Sequence, residues 1–254
     1  MKKYAAFFVA LIVLVLGVGF TYKQLKRTEI NDTPTNNSAA TQETPQSSTE
    51  SFNKQQHSLT DPTSIWLVVD KQRGISADFV PDLVVPDVKL RLASSEEQMQ
   101  INTITEPAIK ELFAAAKNDG VTLVFGSGYR SGALQKQFYD SYKAKDGQAA
   151  ADTYSARPGH SEHQTGFAAD ITSVSGTCHL QICWENTPEG KWIAENAYKY
   201  GFIIRYPKDK QDITGYQYEP WHIRYVDKEL AAEIHKTGQT LEEFFELGPA
   251  PNYD

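Results

Sequence analysis

Between Thr28 and Pro62 the chain offers almost nothing to bury: Thr, Asn, Ser, Gln, Glu and Pro follow one another with hardly an aliphatic residue. Apolar burial cannot offset the ordering entropy of such a segment, so residues 28–62 read as a flexible polar linker. That stretch confines any folded domain to residues 63–254 and isolates what precedes it. Ahead of it, Ala5 to Phe20 is an uncharged apolar run flanked by Lys2 and Lys3 on one side and Lys23, Lys26 and Arg27 on the other. The run is slightly shorter than the roughly 20 residues of a comfortable membrane helix. Residues 1–27 are therefore expected to be a signal anchor or a signal peptide. The lack of a small-residue cleavage pattern after the run favours the anchor, and no Cys follows it for lipid attachment.

Charge and cysteine content narrow the classes. A net charge of −7 with no Lys/Arg block argues against a nucleic-acid partner. The two cysteines, Cys178 and Cys183, are near neighbours. In an extracellular compartment a local disulfide is favoured over free thiols. Zinc held by Cys178, His179 and Cys183 would lack the second ligand pair of a structural site.

Periodicity and punctuation give the domain its outline. Ile65 to Pro86 begins as a strand-like run and turns irregular at its prolines. Ile109, Leu112, Phe113 and Ala116 recur at helical spacing and end at Gly120. Val121 to Phe125 reads as a strand broken by Gly126-Ser127-Gly128. A helix from Ala133 to about Lys145 would present Leu134, Phe138 and Tyr142. Further strands are expected at Gly166–Ile171, Phe202–Tyr206 and Trp221–Val226. Thr187-Pro188 has the order of an N-cap and first helical residue, and Thr240-x-x-Glu243 is a capping box. The expected class is α+β: a small, mainly antiparallel sheet packed with helices, in a single domain.

Three stretches carry chemistry. In His160-Ser161-Glu162-His163-Gln164-Thr165-Gly166-Phe167-Ala168-Ala169-Asp170, a loop histidine precedes a carboxylate set between apolar neighbours. Burying that carboxylate is costly unless a metal or an arginine pairs with it, and spacing alone leaves both open. In Glu219-Pro220-Trp221-His222, the proline should make the chain irregular, which would let Glu219 turn toward the space His222 faces. A Glu beside a metal site is placed to accept a proton from water; a surface Glu and a packed His remain the plainer alternative. In Gly126-Ser127-Gly128-Tyr129-Arg130-Ser131, the glycines permit close backbone approach. Arg130 could there bind a carboxylate or an oxyanion through its planar fork, or be an ordinary surface residue.

Taken together, SGYRS, PGHSEHQTGFAAD, YGFIIRYP and EPWHIRYV resemble, in order and spacing, the VanY-type D-alanyl-D-alanine carboxypeptidases, zinc enzymes of bacterial cell-wall metabolism. DFVPDLV resembles their opening region, so the likeness runs from about Ile65 to Val226. It implies a zinc-dependent carboxypeptidase domain over residues 63–254, with Zn2+ held by His163, Asp170 and His222 and Glu219 as general base. Arg130 would bind substrate or stabilise the tetrahedral intermediate, while Ser161, Gln135 and Trp221 would line the substrate site. The implied substrate is a peptidoglycan stem peptide losing its terminal D-alanine, by D,D- or L,D-cleavage. The resemblance leaves open a D-Ala-D-Ala dipeptidase of the same superfamily; a non-catalytic wall-binding module would carry a defective ligand set. A monomer at the outer face of the cytoplasmic membrane is the expected state, and the cysteine segment, lying between motifs, implies nothing about catalysis.

Overall fold

The computed structural model describes residues 52–254. The anchor expected at residues 1–27, and the linker as far as residue 51, lie outside the described residues. Among the described residues no helix is long and apolar enough to cross a membrane. The last part of the expected linker is packed rather than free: Phe52 stacks on Trp66 with ring centroids 5.4 Å apart, and Leu59 rests against the same apolar cluster. Those two apolar residues are what the polar composition around them concealed.

The architecture is α+β, as expected. A short antiparallel pair, β1 (Leu83–Val84) and β2 (Ile101–Asn102), precedes helix α1 (Glu106–Asn118). The main sheet has four antiparallel strands: β3 (Leu123–Ser127), β4 (Ala168–Ser173), β5 (Phe202–Ile204) and β6 (His222–Tyr225), in the order β3-β4-β6-β5. Between β3 and β4 lie α2 (Gly132–Asp146) and α3 (Gln148–Ala151), and between β4 and β5 lies α4 (Pro188–Asn196). A single turn, α5 (Gln211–Thr214), precedes β6, and α6 (Lys228–Thr237) and α7 (Leu241–Phe244) close the described chain.

Strand alternation gives the sheet two faces. On one, Phe125, Ala169, Ile171, Phe202 and Ile223 are buried with Ile109 and Leu112 of α1 and Ile193 of α4. On the other, Ile203 joins Trp66, Val68, Leu230, Ile234 and Leu241 beneath α6 and α7. The rest of that second face is mostly polar: Ser127, Asp170, Thr172, His222 and Arg224 share it with Val124 and Ala168. One sheet therefore supplies a core on one side and a chemical surface on the other.

Local signals held where capping chemistry fixed them. Thr187 accepts from the Gly190 amide with Pro188 opening α4, and Thr240 and Glu243 form the reciprocal box at α7. Two expectations did not hold. Ile65–Val69 is not a strand, although Trp66 to Val69 are buried. Its carbonyls go instead to guanidiniums: Arg224 Nη2 donates to Ile65 O at 3.0 Å and Leu67 O at 2.8 Å, and Arg205 Nη2 to Val69 O at 3.4 Å. Buried backbone needs partners, and arginines meet that need here in place of a neighbouring strand. On α2 the buried positions are Gly132, Gln135 and Tyr139, not the line Leu134–Phe138–Tyr142, and Tyr142 is exposed.

Candidate metal centre and cleft

Register builds the site. Ser127 pairs with Asp170 and Asp170 with His222, so three neighbouring strands set these side chains in one row across the sheet. His163 arrives from the 3-10 turn Glu162–Thr165, and Gly166 ends that turn in the left-handed region at φ +69. The ligand atoms of His163, Asp170 and His222 lie within 4.8 Å of one another, and all three residues are buried.

Each histidine presents a defined nitrogen. His163 Nδ1 lies 2.7 Å from Gly128 O, which can only accept, so Nδ1 carries the proton and Nε2 faces Asp170 Oδ2 at 3.4 Å. Burial lowers the His163 pKa, with Asp170 opposing that and Arg130 adding to it, which favours the neutral ring. His222 points Nδ1 at Asp170 Oδ1 at 3.3 Å, and its Nε2 lies 3.4 Å from Glu162 Oε2. Burial disfavours its charged form, but the Asp170 and Glu162 carboxylates outweigh burial and raise its pKa to about 9. Asp170 Oδ2 accepts from Ser127 Oγ at 2.6 Å, whereas buried Oδ1 has no hydrogen-bond partner. Two imidazole nitrogens and one carboxylate oxygen, one of them orphaned and all convergent, match the three-ligand donor set of a catalytic zinc site.

Glu162 anchors this centre from behind. Its Oε1 accepts from Arg205 Nε at 2.8 Å and from Arg224 Nη1 at 2.7 Å, while Arg205 also engages Glu242 at 2.6 and 3.1 Å. All four side chains are buried, at the boundary between the apolar and polar halves of the second sheet face. Burial would raise the Glu162 pKa, but Arg224 and Arg205 hold it far below the usual carboxylate range. With Oε1 saturated by two guanidiniums, Oε2 is left for His222. This carboxylate stands inside the SEHQTG motif, yet sequence reading passed over it; a charged residue directly before a ligand histidine was the available signal.

Glu219 lies where the proline turn was expected to bring it: Oε2 is 3.7 Å from His222 Nδ1, across a turn in which the His222 amide donates to Glu219 O at 3.2 Å. Burial pushes its carboxyl up to about 8, with Asp170 and Glu162 adding and His222 and Arg130 opposing. A cleft of about 200 Å³ opens above these groups, and Arg130, Ser161, Glu219 and Trp221 all line it. Gln135 does not. It is buried behind Arg130, accepting from Arg130 Nη1 at 2.8 Å and donating to Ala156 O at 2.6 Å, and so braces the guanidinium. Arg130 Nη2 is 4.0 Å from Asp170 Oδ2, and its ring partner is Phe138 at 5.2 Å.

Cleft residues that the sequence did not mark as part of the site include Tyr206 and Tyr216, together with Tyr142, Tyr154 and Leu180. Tyr206 belongs to YGFIIRYP, a segment legible as a motif but without a residue singled out. Its ring lies 4.9 Å from those of both His222 and Tyr216. Cys178 and Cys183 form the expected disulfide, with Cα atoms 5.6 Å apart.

Comparison with known proteins places the arrangement. Residues 98–228 match the model of the family VanY, described as D-alanyl-D-alanine carboxypeptidase. A putative carboxypeptidase, YodJ of Bacillus subtilis (strain 168), is 45% identical over 189 residues, covering 74% of this chain and 69% of that protein. Among solved structures, the LdcB LD-carboxypeptidase aligns with TM-score 0.70 and 46% identity, over 73% of this chain and 87% of that one. A VanY D,D-pentapeptidase from a VanB-type resistance cassette, in complex with Zn(II), aligns with TM-score 0.58 and 38% identity, over 70% and 97%.

Proposed function

The chain belongs to the VanY family of D-alanyl-D-alanine carboxypeptidases, and from that premise we propose that it removes the C-terminal D-alanine from peptidoglycan stem peptides in a zinc-dependent reaction. The observation that carries the reading is the row Ser127–Asp170–His222 with His163 beside it, where an orphaned carboxylate oxygen and two imidazole nitrogens converge below Glu219. In this proposal His163 Nε2, Asp170 and His222 Nδ1 hold the ion. Bound there, zinc supplies Lewis acidity, which polarises a carbonyl and makes water more acidic.

The chain's own groups do the rest. Glu219, beside His222, takes the proton from the attacking water and delivers it to the leaving amine of D-alanine. Arg130, held in place by Gln135, offers its fork to the substrate carboxylate or to the oxyanion developing on the scissile carbonyl. Ser161 and Trp221 shape the wall against which the peptide end lies. An LD-carboxypeptidase and a D,D-pentapeptidase both align, and the proposed substrate is a pentapeptide or a tetrapeptide stem, cut by D,D- or L,D-cleavage.

We further propose that residues 1–27 anchor the protein at the outer face of the membrane, with the polar segment as a leash and the domain acting as a monomer. The uncharged run Ala5–Phe20 and a disulfide suited to an oxidising compartment support this. The test is to incubate the purified protein with tri-, tetra- and pentapeptide stems, with zinc and with chelator. D-alanine release from tetra- or pentapeptide should stop on zinc removal, and Glu219→Gln should lower kcat by about 10²–10⁴-fold. Activity that persists in either case would refute the mechanism.

A further inference from the structure

The cleft has a buried floor and an apolar mouth. Among the described residues that line it, the two exposed ones are Tyr142, 39% exposed, and Leu180, 44% exposed. Every group assigned to chemistry above lies deeper. An exopeptidase binds the end of its substrate at the floor, so the chain upstream of the cleaved bond leaves toward the exposed part of the lining, to which these two side chains belong.

Leu180 is not there by default of the local backbone. It belongs to the loop closed by Cys178–Cys183, and both Cys178 (φ +57) and Leu180 (φ +52) adopt the left-handed region, which side-chain-bearing residues occupy only at a cost. Within the loop, the Gln181 amide donates to Cys178 O at 3.1 Å. Cys178 packs against the main apolar cluster while Cys183 is exposed, so the covalent bond ties the outer end of the loop to a point fixed in the core. Two unfavourable backbone conformations in three residues, closed by a covalent tie, hold one apolar side chain at the cleft mouth.

We propose that the disulfide-closed loop 178–183 is a specificity element: Leu180, with Tyr142, forms an apolar subsite for the aliphatic side chain of the peptide residue just upstream of the cleaved bond. This rests on the carboxypeptidase reading above. Contact with two or three methylenes of such a side chain corresponds to about five- to tenfold in binding, allowing for its partial exposure.

The experiment compares two synthetic peptides ending in the same cleaved residue, one with lysine and one with alanine just upstream. Steady-state kinetics of the full-length zinc-loaded protein, Leu180→Ser, and the double variant Cys178→Ala/Cys183→Ala are measured on both. The wild type should favour the lysine peptide through KM. Leu180→Ser should reduce that KM preference about five- to tenfold, and the double cysteine variant should reduce it similarly. An unchanged KM ratio in Leu180→Ser, or a fall in kcat shared equally by both peptides, overturns the inference while leaving the carboxypeptidase reading intact. Failure of the wild type to cleave either peptide overturns both. The single Leu180→Ser variant keeps the test decisive if the cysteine variant does not fold.

Discussion

Replacing Glu162 by Gln should damage the metal centre in a particular way. Oε1 of Glu162 accepts from Arg205 and Arg224 at 2.8 and 2.7 Å, so a glutamine must keep its carbonyl oxygen there and turn its NH₂ toward His222 Nε2. Holding a metal through Nδ1 requires the His222 proton on Nε2, where it would now meet another donor. The tautomer that relieves this clash carries its proton on Nδ1, the ligand atom. Zinc affinity should therefore fall by about 10–100-fold, the range for loss of a carboxylate partner behind a ligand histidine. Folding suffers separately, because one carboxylate, Glu242, is left to balance two buried guanidiniums. Breaking a buried pair in this way costs about 3–5 kcal/mol. Glu162→Met makes the useful contrast: it leaves Arg205 Nε and Arg224 Nη1 without their Glu162 acceptor, yet imposes no donor on His222. Gln should thus be the worse variant for zinc and Met the worse for folding. Competition with a chromogenic chelator gives the first order and urea unfolding in excess chelator the second. If Glu162→Gln binds zinc within about twofold of wild type, or if one variant is worse in both assays, the tautomer argument is wrong.

Three further outcomes follow from the same geometry. Ser127→Ala removes the 2.6 Å bond to Asp170 Oδ2, a hydrogen bond to a charged group worth about 1.5–3 kcal/mol, and chelator competition should show zinc affinity falling by roughly tenfold. Gly126→Ala would place a Cβ 2.8 Å from the Asp170 carbonyl oxygen, so denaturant unfolding should show a loss of about 1–3 kcal/mol. A midpoint unchanged from wild type would show that β3 and β4 part more easily than their register implies. Burial acts to raise the Asp152 pKa, but Arg157 at 2.8 and 3.2 Å and Tyr139 at 2.7 Å outweigh it and lower the value overall. The contribution of this carboxylate is present above its unfolded pKa and lost as pH falls through the depressed folded one. The stability gap between wild type and Asp152→Asn should accordingly narrow as pH drops below roughly 4, and a gap constant from pH 7 to 3 would contradict it.

What the sequence disclosed was what short-range chemistry determines. Thr187-Pro188 and the Thr240–Glu243 box set helix starts by hydrogen bonds within four residues, and Pro220 forced the turn that brings Glu219 to His222. The convergence of His163, Asp170 and His222 was legible only through likeness to a family, since spacing alone left an arginine as a rival partner for Asp170. Long-range features stayed hidden. Ile65–Val69 has strand composition, but its carbonyls are claimed by Arg205 and Arg224 from more than a hundred residues away. Gln135 shared a helix with Arg130's neighbours and was expected in the cleft, whereas burial turned it into a brace. Leu180 had no signal at all, because nothing in a five-bond loop tells which way its apolar residue faces.

The pairing of Ser127, Asp170 and His222 on adjacent strands also bears on how such a protein can change. Neighbouring strands keep a separation of about 5 Å whatever joins their ends, so the sheet acts as a ruler for the chemistry. Connections outside it, the cysteine loop after β4 included, can lengthen, shorten or trade sequence without moving the ligand row. A one-residue slip between β4 and β6 would instead turn Asp170 and His222 to opposite faces. The spacing of Ser127, Asp170 and His222 is thus fixed by backbone hydrogen bonds, while His163 and Glu219 depend on the turns that carry them to this row.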